Sequence, residues 1–214
     1  MQDADLQAAT ASEPLSMTEE YDMQRSWRTD NDKLTFIVCH SRESENVSQT
    51  VRGSQDDRPE RMIGDINLFL FEPEGDDEDE DDSAEQAPNS TKTSNALVGE
   101  IELMIARKDL HRQGYGRAAL LSFTAYILET WALIAAEYSS GAGDQTTRPL
   151  QYLRVKINQS NARSISLFQS IGFVQTEAGA NYFGEVELRW QPNRSELETR
   201  KGWEEPQLLE FVEK

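Results

Sequence analysis

The stretch LHRQGYGRAALL, Leu110 to Leu121, sets Gly114 and Gly116 one residue apart against the start of a strongly helical run. A helix N-terminus presents unpaired N–H groups and partial positive charge, and glycines there let an anion approach the backbone closely. The plainer alternative is a tight turn that only redirects the chain. Local charge favours the anion: Arg107, Lys108, Arg112 and Arg117 make a basic island in a chain of formal net charge −18. That pattern suits a multiply phosphorylated ligand.

Known phosphate-binding loops narrow the choice. A P-loop needs Lys and then Ser or Thr after its last glycine, whereas Arg117 and Ala118 follow Gly116. GYGRAA fits the G-x-G-x-x-A form of the dinucleotide fingerprint, a weak signal by itself. That fingerprint also wants its glycines directly after a strand, with an acidic residue ending the next strand about 20 residues on. Here the preceding strand ends near Ala106 and the next begins near Leu150, which fits poorly.

To position such a loop the chain must supply a strand before it and a helix after it. LVGEIELMIA, Leu97 to Ala106, alternates: Ile101, Leu103 and Ile105 point one way, Glu100, Glu102 and Met104 the other. Tyr115 to about Tyr138 is helical and apolar around most of its circumference, which predicts a largely buried helix. Upstream, Ser16 and Glu19 have the spacing of a capping box and predict a helix from Met17 to Arg28. KLTFIVCH (33–40) and MIGDINLFLF (62–71) predict strands, the second buried on both faces, with a loop over 41–60 between them. The second strand should pair antiparallel with 97–106 across a long insertion.

Downstream, LQYLRVKI predicts a strand and NARSISLFQSIGF a short helix. Asn161 is its N-cap, Ile165, Phe168 and Ile171 share one side, and Gly172 takes the C′ position. Val174–Glu177 and Glu185–Trp190 form a hairpin, and LLEFV near the end docks as a short helix. The order of elements describes an α/β fold with a mixed sheet flanked by helices.

A chain of 214 residues suits one domain. The single cysteine, Cys39, excludes an intramolecular disulfide and fits a reducing, cytoplasmic setting. No run reaches the roughly 18 apolar residues that cross a bilayer, so no membrane association is expected. The acidic balance opposes nucleic-acid binding, which draws its affinity from Lys and Arg on phosphates. Ten acidic residues without a Lys or Arg lie between Glu72 and Glu85, leaving −8 of the −18 for the rest. That run repels itself and buries little, so 72–95 is expected to be a disordered insertion. His40 and His111 are the only histidines, and neither has a triad or metal spacing.

IELMIARKDLHRQGYGRAALL resembles motif A of the GNAT N-acetyltransferases, in which a strand leads into R/Q-x-x-G-x-G/A and a long helix. NARSISLFQSIGF resembles the family's following motif, N-x-x-S/A-x-x-L-(Y/F)-x-x-x-G-F. LQAATASEPLSMTEEYDMQRSW, GDINLFL, GEIELMIA and EVELRW are similar to its N-acetyltransferase-9-like branch, some members of which have been named tubulin acetyltransferases.

The resemblance implies a GNAT-like, mostly antiparallel sheet over residues 1–190, followed by a tail over 191–214. It implies acetyl-CoA as cosubstrate and a protein amine as acceptor, an N-terminal α-amine or a lysine, with tubulin among the candidates. His111, Arg112, Gln113, Gly114, Tyr115, Gly116 and Arg117 would hold the pyrophosphate, with Arg107, Lys108 or Arg117 near the 3′-phosphate. Met104, Ile105 and Ala106 would pair with the pantetheine arm, and Asn161, Ser164 and Phe168 would line its thiol end. Two departures stand out. His111 replaces the first Arg or Gln, and Phe168 replaces a tyrosine able to protonate the leaving thiolate. Family members also carry a first strand ahead of the segment equivalent to MQDADLQAAT, so Met1 reads as an internal methionine.

Acetyl transfer needs a neutral amine. A lysine amine has a pKa near 10.4 and a chain α-amine near 8, so a base is required. Glu102 is the first candidate, because it lies nearer the cofactor end of its strand, and Glu100 is the second. The competing reading makes both a solvated strand face. A non-catalytic binding protein on the same fold is the alternative function, favoured by Phe168. Deletion of residues 74–93 should move the melting temperature by no more than a few degrees, since the run joins strands that a short turn can connect. Collapse of folding would instead show that the insertion docks.

Overall fold

The computed structural model describes residues 15–40, 50–73, 95–141, 148–177 and 179–213. The predicted acidic insertion lies outside these, apart from Glu72, Pro73 and Asn95. In chain order the elements are α1 (Met17–Thr29), β1 (Lys33–Cys39), β2 (Thr50–Arg52), β3 (Met62–Phe71), β4 (Leu97–Ile105) and α2 (Tyr115–Gly141). They continue with β5 (Leu150–Asn158), α3 (Ala162–Gln169), β6 (Val174–Gln175), β7 (Glu185–Trp190), α4 (Arg194–Glu198) and β8 (Glu210–Val212). Six strands form a mixed sheet in the order β1-β3-β4-β5-β7-β6, parallel only between β4 and β5.

Local signals act where they were read. Ser16 and Glu19 close the capping box at the start of α1 in both directions, and the Asn161 side chain accepts from Ser164 N to cap α3. The alternation in β4 sorts the sheet into two faces. Ile101 and Leu103 share one face with Leu68 and Ile66, whereas Glu100 and Glu102 share the other with Phe69 and Asn67. The apolar face packs against α2 and α3, with Leu68, Ile101, Leu120, Leu153, Ile171 and Leu188 within 1% of full burial.

Three expectations are corrected. LLEFV contributes to a strand, β8, rather than to a helix, and pairs in parallel with β2 inside the segment expected to be a loop. Three residues on each side suffice for that pairing, too few to leave a periodic signature. The closing hairpin is also shorter than expected, because β6 ends at Gln175. Finally, α2 does reach the length and apolarity of a membrane-crossing helix, with a mean hydropathy of 1.6 over an 18-residue stretch within Tyr115–Ser140. Its Leu120, Leu121, Phe123, Ala125, Ile127, Ile134 and Ala135 are instead buried in the core.

Near the site the β3–β4 ladder is unusually close. A Cβ on Gly64 would lie 1.9 Å from the Met104 carbonyl oxygen, backbone that cannot turn aside. Gly64→Ala should therefore force the strands apart at an overpacking cost of about 1–3 kcal/mol. At about 2–4 °C per kcal/mol for a chain of this size, thermal denaturation should show a loss of roughly 2–12 °C. An unchanged melting temperature would refute the close packing.

Candidate active site

β4 and β5 pair only over Leu97–Glu100 and Leu150–Arg154, and then part. Beyond that point Ile101–Ile105 stays paired with β3, and Val155–Asn158 stays paired with β7. The sheet is thereby opened into a wedge, and one edge of each strand faces the gap. Glu100 and Arg154 form the last rung before the split. Arg154 is buried, donates from Nε to Glu100 Oε2 at 2.7 Å, and lies with its guanidinium carbon 5.0 Å from the Phe71 ring centroid.

This pairing separates the two glutamates that the sequence offered together. Glu100 is committed to Arg154. Glu102 is exposed, so a substrate can reach it. Its carboxyl is nevertheless pushed above its ordinary range, by surrounding protein first and then by the charges of Glu100 and Asp65. A carboxylate with a raised pKa is the better proton acceptor.

Asp65 belongs to the same constellation and was missed in the sequence. Reading β3 as buried on both faces concealed the fact that Asp65 and Asn67, two residues apart, lie on the face of Glu102. Burial raises the Asp65 carboxyl, opposed by the hydrogen bond from Asn67 Nδ2 at 2.7 Å. The ladder sets Asn67 directly opposite Glu102, and Asp65 opposite Met104.

At the far end of β4 the chain makes a short 3₁₀ turn, Lys108–Leu110, and then the glycine loop. His111 Nε2 lies 2.7 Å from the Ile105 carbonyl. Because a carbonyl only accepts, that nitrogen carries the proton, and the side chain ties the loop back to β4. Arg112 and Gly114 both have positive φ, +65° and +96°, and a Cβ on Gly114 would meet nothing within 4 Å. Gly114 thus serves backbone conformation and leaves open space before it. Gly116 serves packing, because a Cβ there would sit 3.3 Å from Leu167 of α3. The first turn of α2 has no acidic residue to compete with an anion.

Other expected contacts sort unevenly. Arg107 is held by Asp109, through Nε at 3.2 Å and Nη2 at 2.5 Å, which compensates its charge. Arg117 is held by neutral oxygens, Ser170 Oγ at 2.5 Å and Lys201 O at 3.4 Å, neither of which compensates its charge. Gln113 donates to the Asp109 carbonyl, and Tyr115 bonds His40 across to the end of β1. Asn161 and Ser164 are half-buried at the start of α3. Phe168 is 3% exposed and packs edge-on to Phe173 at 5.0 Å, so most of its ring stands in the core.

A parted sheet, a glycine loop at a helix N-terminus and an accessible carboxylate of raised pKa stand together here. The family model of the acetyltransferase (GNAT) domain matches residues 1–174, and the chain belongs to the GNAT family of N-acetyltransferases. Within it, the similarity lies with the N-acetyltransferase-9-like branch. The chain is 39% identical over 193 residues to an N-acetyltransferase 9-like protein of Schizosaccharomyces pombe, covering 88% of this chain and 83% of that protein. It is 33% identical over 196 residues to the alpha/beta-tubulin-N-acetyltransferase 9 of Homo sapiens, covering 92% and 73%. Among solved structures, spermidine N-acetyltransferase from Vibrio cholerae in complex with CoA and spermine aligns with a TM-score of 0.49 at 13% identity, covering 86% and 80%.

The division of labour among the carboxylates is testable by stability alone. Glu100→Gln leaves Arg154 buried with a weakened partner and should cost about 3 kcal/mol. Asp65→Asn should have the opposite sign. The Asp65 pKa is raised on folding, so the stability it contributes is present below its unfolded value and lost as pH rises through the folded value. At pH 7 the charged form is therefore a burden, and the asparagine variant should melt higher, with the gain shrinking toward acid pH. Scanning calorimetry of both variants at pH 7 and pH 4 checks the pair. Stabilisation by Glu100→Gln would refute the structural role of that residue.

Proposed function

We propose that this enzyme transfers the acetyl group of acetyl-CoA to a protein amine, with Glu102 as the general base. The single observation that carries the reading is the accessible Glu102 carboxyl, with its raised pKa, standing on the strand whose edge borders the wedge. The glycine loop supports acetyl-CoA as cosubstrate. Its open space at Gly114, the acid-free first turn of α2 and the charge of Arg117 suit the anionic end of that molecule. The β4 edge beyond Glu100, which has no β5 partner although His111 already takes the Ile105 carbonyl, supports strand-like pairing with the amide-bearing arm.

The proposed chemistry balances with the residues present. An incoming ammonium gives one proton to the Glu102 carboxylate. The neutral amine attacks the thioester carbonyl carbon, the C–N bond forms and the C–S bond breaks. The second nitrogen proton passes to the departing thiolate, and Glu102 returns its proton to solvent. Phe168 takes no part. Tubulin is proposed as an acceptor on the strength of relatives that carry it in their names, in Drosophila melanogaster and Homo sapiens.

The test is CoA release with acetyl-CoA against a panel of peptides with free N-termini, internal lysine peptides and tubulin. Glu102→Gln should lower kcat by about 10²–10⁴-fold, the span of general base catalysis, with acetyl-CoA affinity retained by calorimetry. Absence of CoA release by the unmodified enzyme, or full activity in Glu102→Gln, would overturn the reading.

A further inference from the structure

Asn67 holds a feature that binding of the acetyl donor does not use. The residue is 6% exposed, its Nδ2 is spent on Asp65, and its Oδ1 is buried without a partner. An amide oxygen only accepts, so whatever satisfies it must bring an N–H or O–H. Buried acceptors left bare are uncommon and call for an explanation.

The charged groups around it limit the answer. On β4, Glu100 is taken by Arg154 of β5, and Glu187 of β7 lies 3.9 Å from that same arginine. On β1, Lys33 stands at the register of Phe69, away from Asp65, and is held by Asp30 at 2.7 Å. Among the described residues, no cation pairs with Asp65 or Glu102. One face of the β3–β4 ladder therefore carries two carboxylates without an ion-pair partner and a bare amide oxygen, with Glu102 on the strand that borders the wedge. Three acceptors without a cation match a primary ammonium, which has three donors and one positive charge.

We propose that Asp65, Asn67 and Glu102 form a socket that takes the acceptor as its protonated primary amine, with Asn67 Oδ1 and Asp65 holding the ammonium while Glu102 removes a proton. The inference rests on the acetyl-transfer reading and specifies the form in which the acceptor binds. The socket rejects hydroxyl and thiol acceptors, which bring no charge and too few donors. It also makes Asp65 and Asn67 acceptor-binding residues in their own right.

Two measurements test it, using the full chain. In the first, steady-state kinetics are run from pH 6 to pH 9 with the best peptide of the panel. In the unmodified enzyme the acceptor KM should rise above the α-amine pKa of about 8, because the charged form is the one bound. In Asp65→Asn, which keeps the hydrogen bond from Asn67, the acceptor KM at pH 7 should rise about tenfold and lose that pH dependence, with the acetyl-CoA KM unchanged. An acceptor KM that falls with pH in the unmodified enzyme, or stays unaltered in Asp65→Asn, overturns the socket.

The second measurement needs no turnover. Carboxyl carbon-13 titration by NMR should show ethylammonium chloride, and not sodium chloride, lowering the pKa values of Asp65 and Glu102, with a weaker response in Asn67→Leu. No response to ethylammonium overturns the socket even in an active enzyme. A response without any CoA release supports the socket and defeats the acetyl-transfer reading instead.

Discussion

The Glu100–Arg154 pair is the hinge pin of the molecule. Two parallel strands that have begun to pair would ordinarily continue, because every unmade rung leaves backbone donors and acceptors behind. Here pairing stops at the rung that carries a buried ion pair. The split is tolerable because each strand keeps a partner on its outer side, β4 with β3 and β5 with β7. Arg154 contributes its stacking on Phe71 and its approach to Glu187, so the apex is anchored to both halves of the sheet. Removing either partner would strand a charge in the interior, the costly way to break such a pair.

Beyond that apex, charge differs between the end of β4 and the face of the β3–β4 ladder. Toward Ile105 the strand runs into a helix N-terminus and Arg117, whose neutral partners leave its charge for a ligand. On the opposite face of the sheet from α2, burial raises the Asp65 carboxyl, and burial with the charges of Glu100 and Asp65 raises that of Glu102. An anionic cosubstrate and a cationic acceptor would thus be sorted to different regions before they meet at the wedge. The overall acidity of the chain has little to do with this sorting, since exposed charges beyond about 10 Å are largely screened in physiological salt.

The fold was legible wherever one residue type had one physical job. Ser16 with Glu19, Asn161, and the alternation Glu100, Ile101, Glu102, Leu103 each marked an end or a face, and each acts as read. The glycine loop was legible as the turn between β4 and α2, and Gly114 there takes a positive φ. What escaped notice depends on long-range neighbours. Asp65 and Asn67 sit among Ile63, Ile66, Leu68 and Leu70, and apolar density drowned their two-residue spacing. Only the register of β3 on β4 shows that they face Glu102. Likewise β2 and β8 are three residues each, and neither is a strand without the other. The commitment of Glu100 to Arg154 lies 54 residues apart in sequence and has no local trace.

The placement of Phe168 follows from the same packing and shapes the chemistry. α3 buries one side, and Phe168 stands on that side against Phe173, which in turn contacts Trp190 of β7. Phenylalanine carries no hydroxyl, so this position has no proton to give a leaving thiolate. In the proposed reaction this loss is affordable, because a primary ammonium brings two dispensable protons. Glu102 takes the first before attack, and the second leaves nitrogen as the amide forms, when a thiolate is present to accept it. The proton that reaches the thiolate in the proposed reaction comes from the amine nitrogen itself, so the step balances without an acid at position 168.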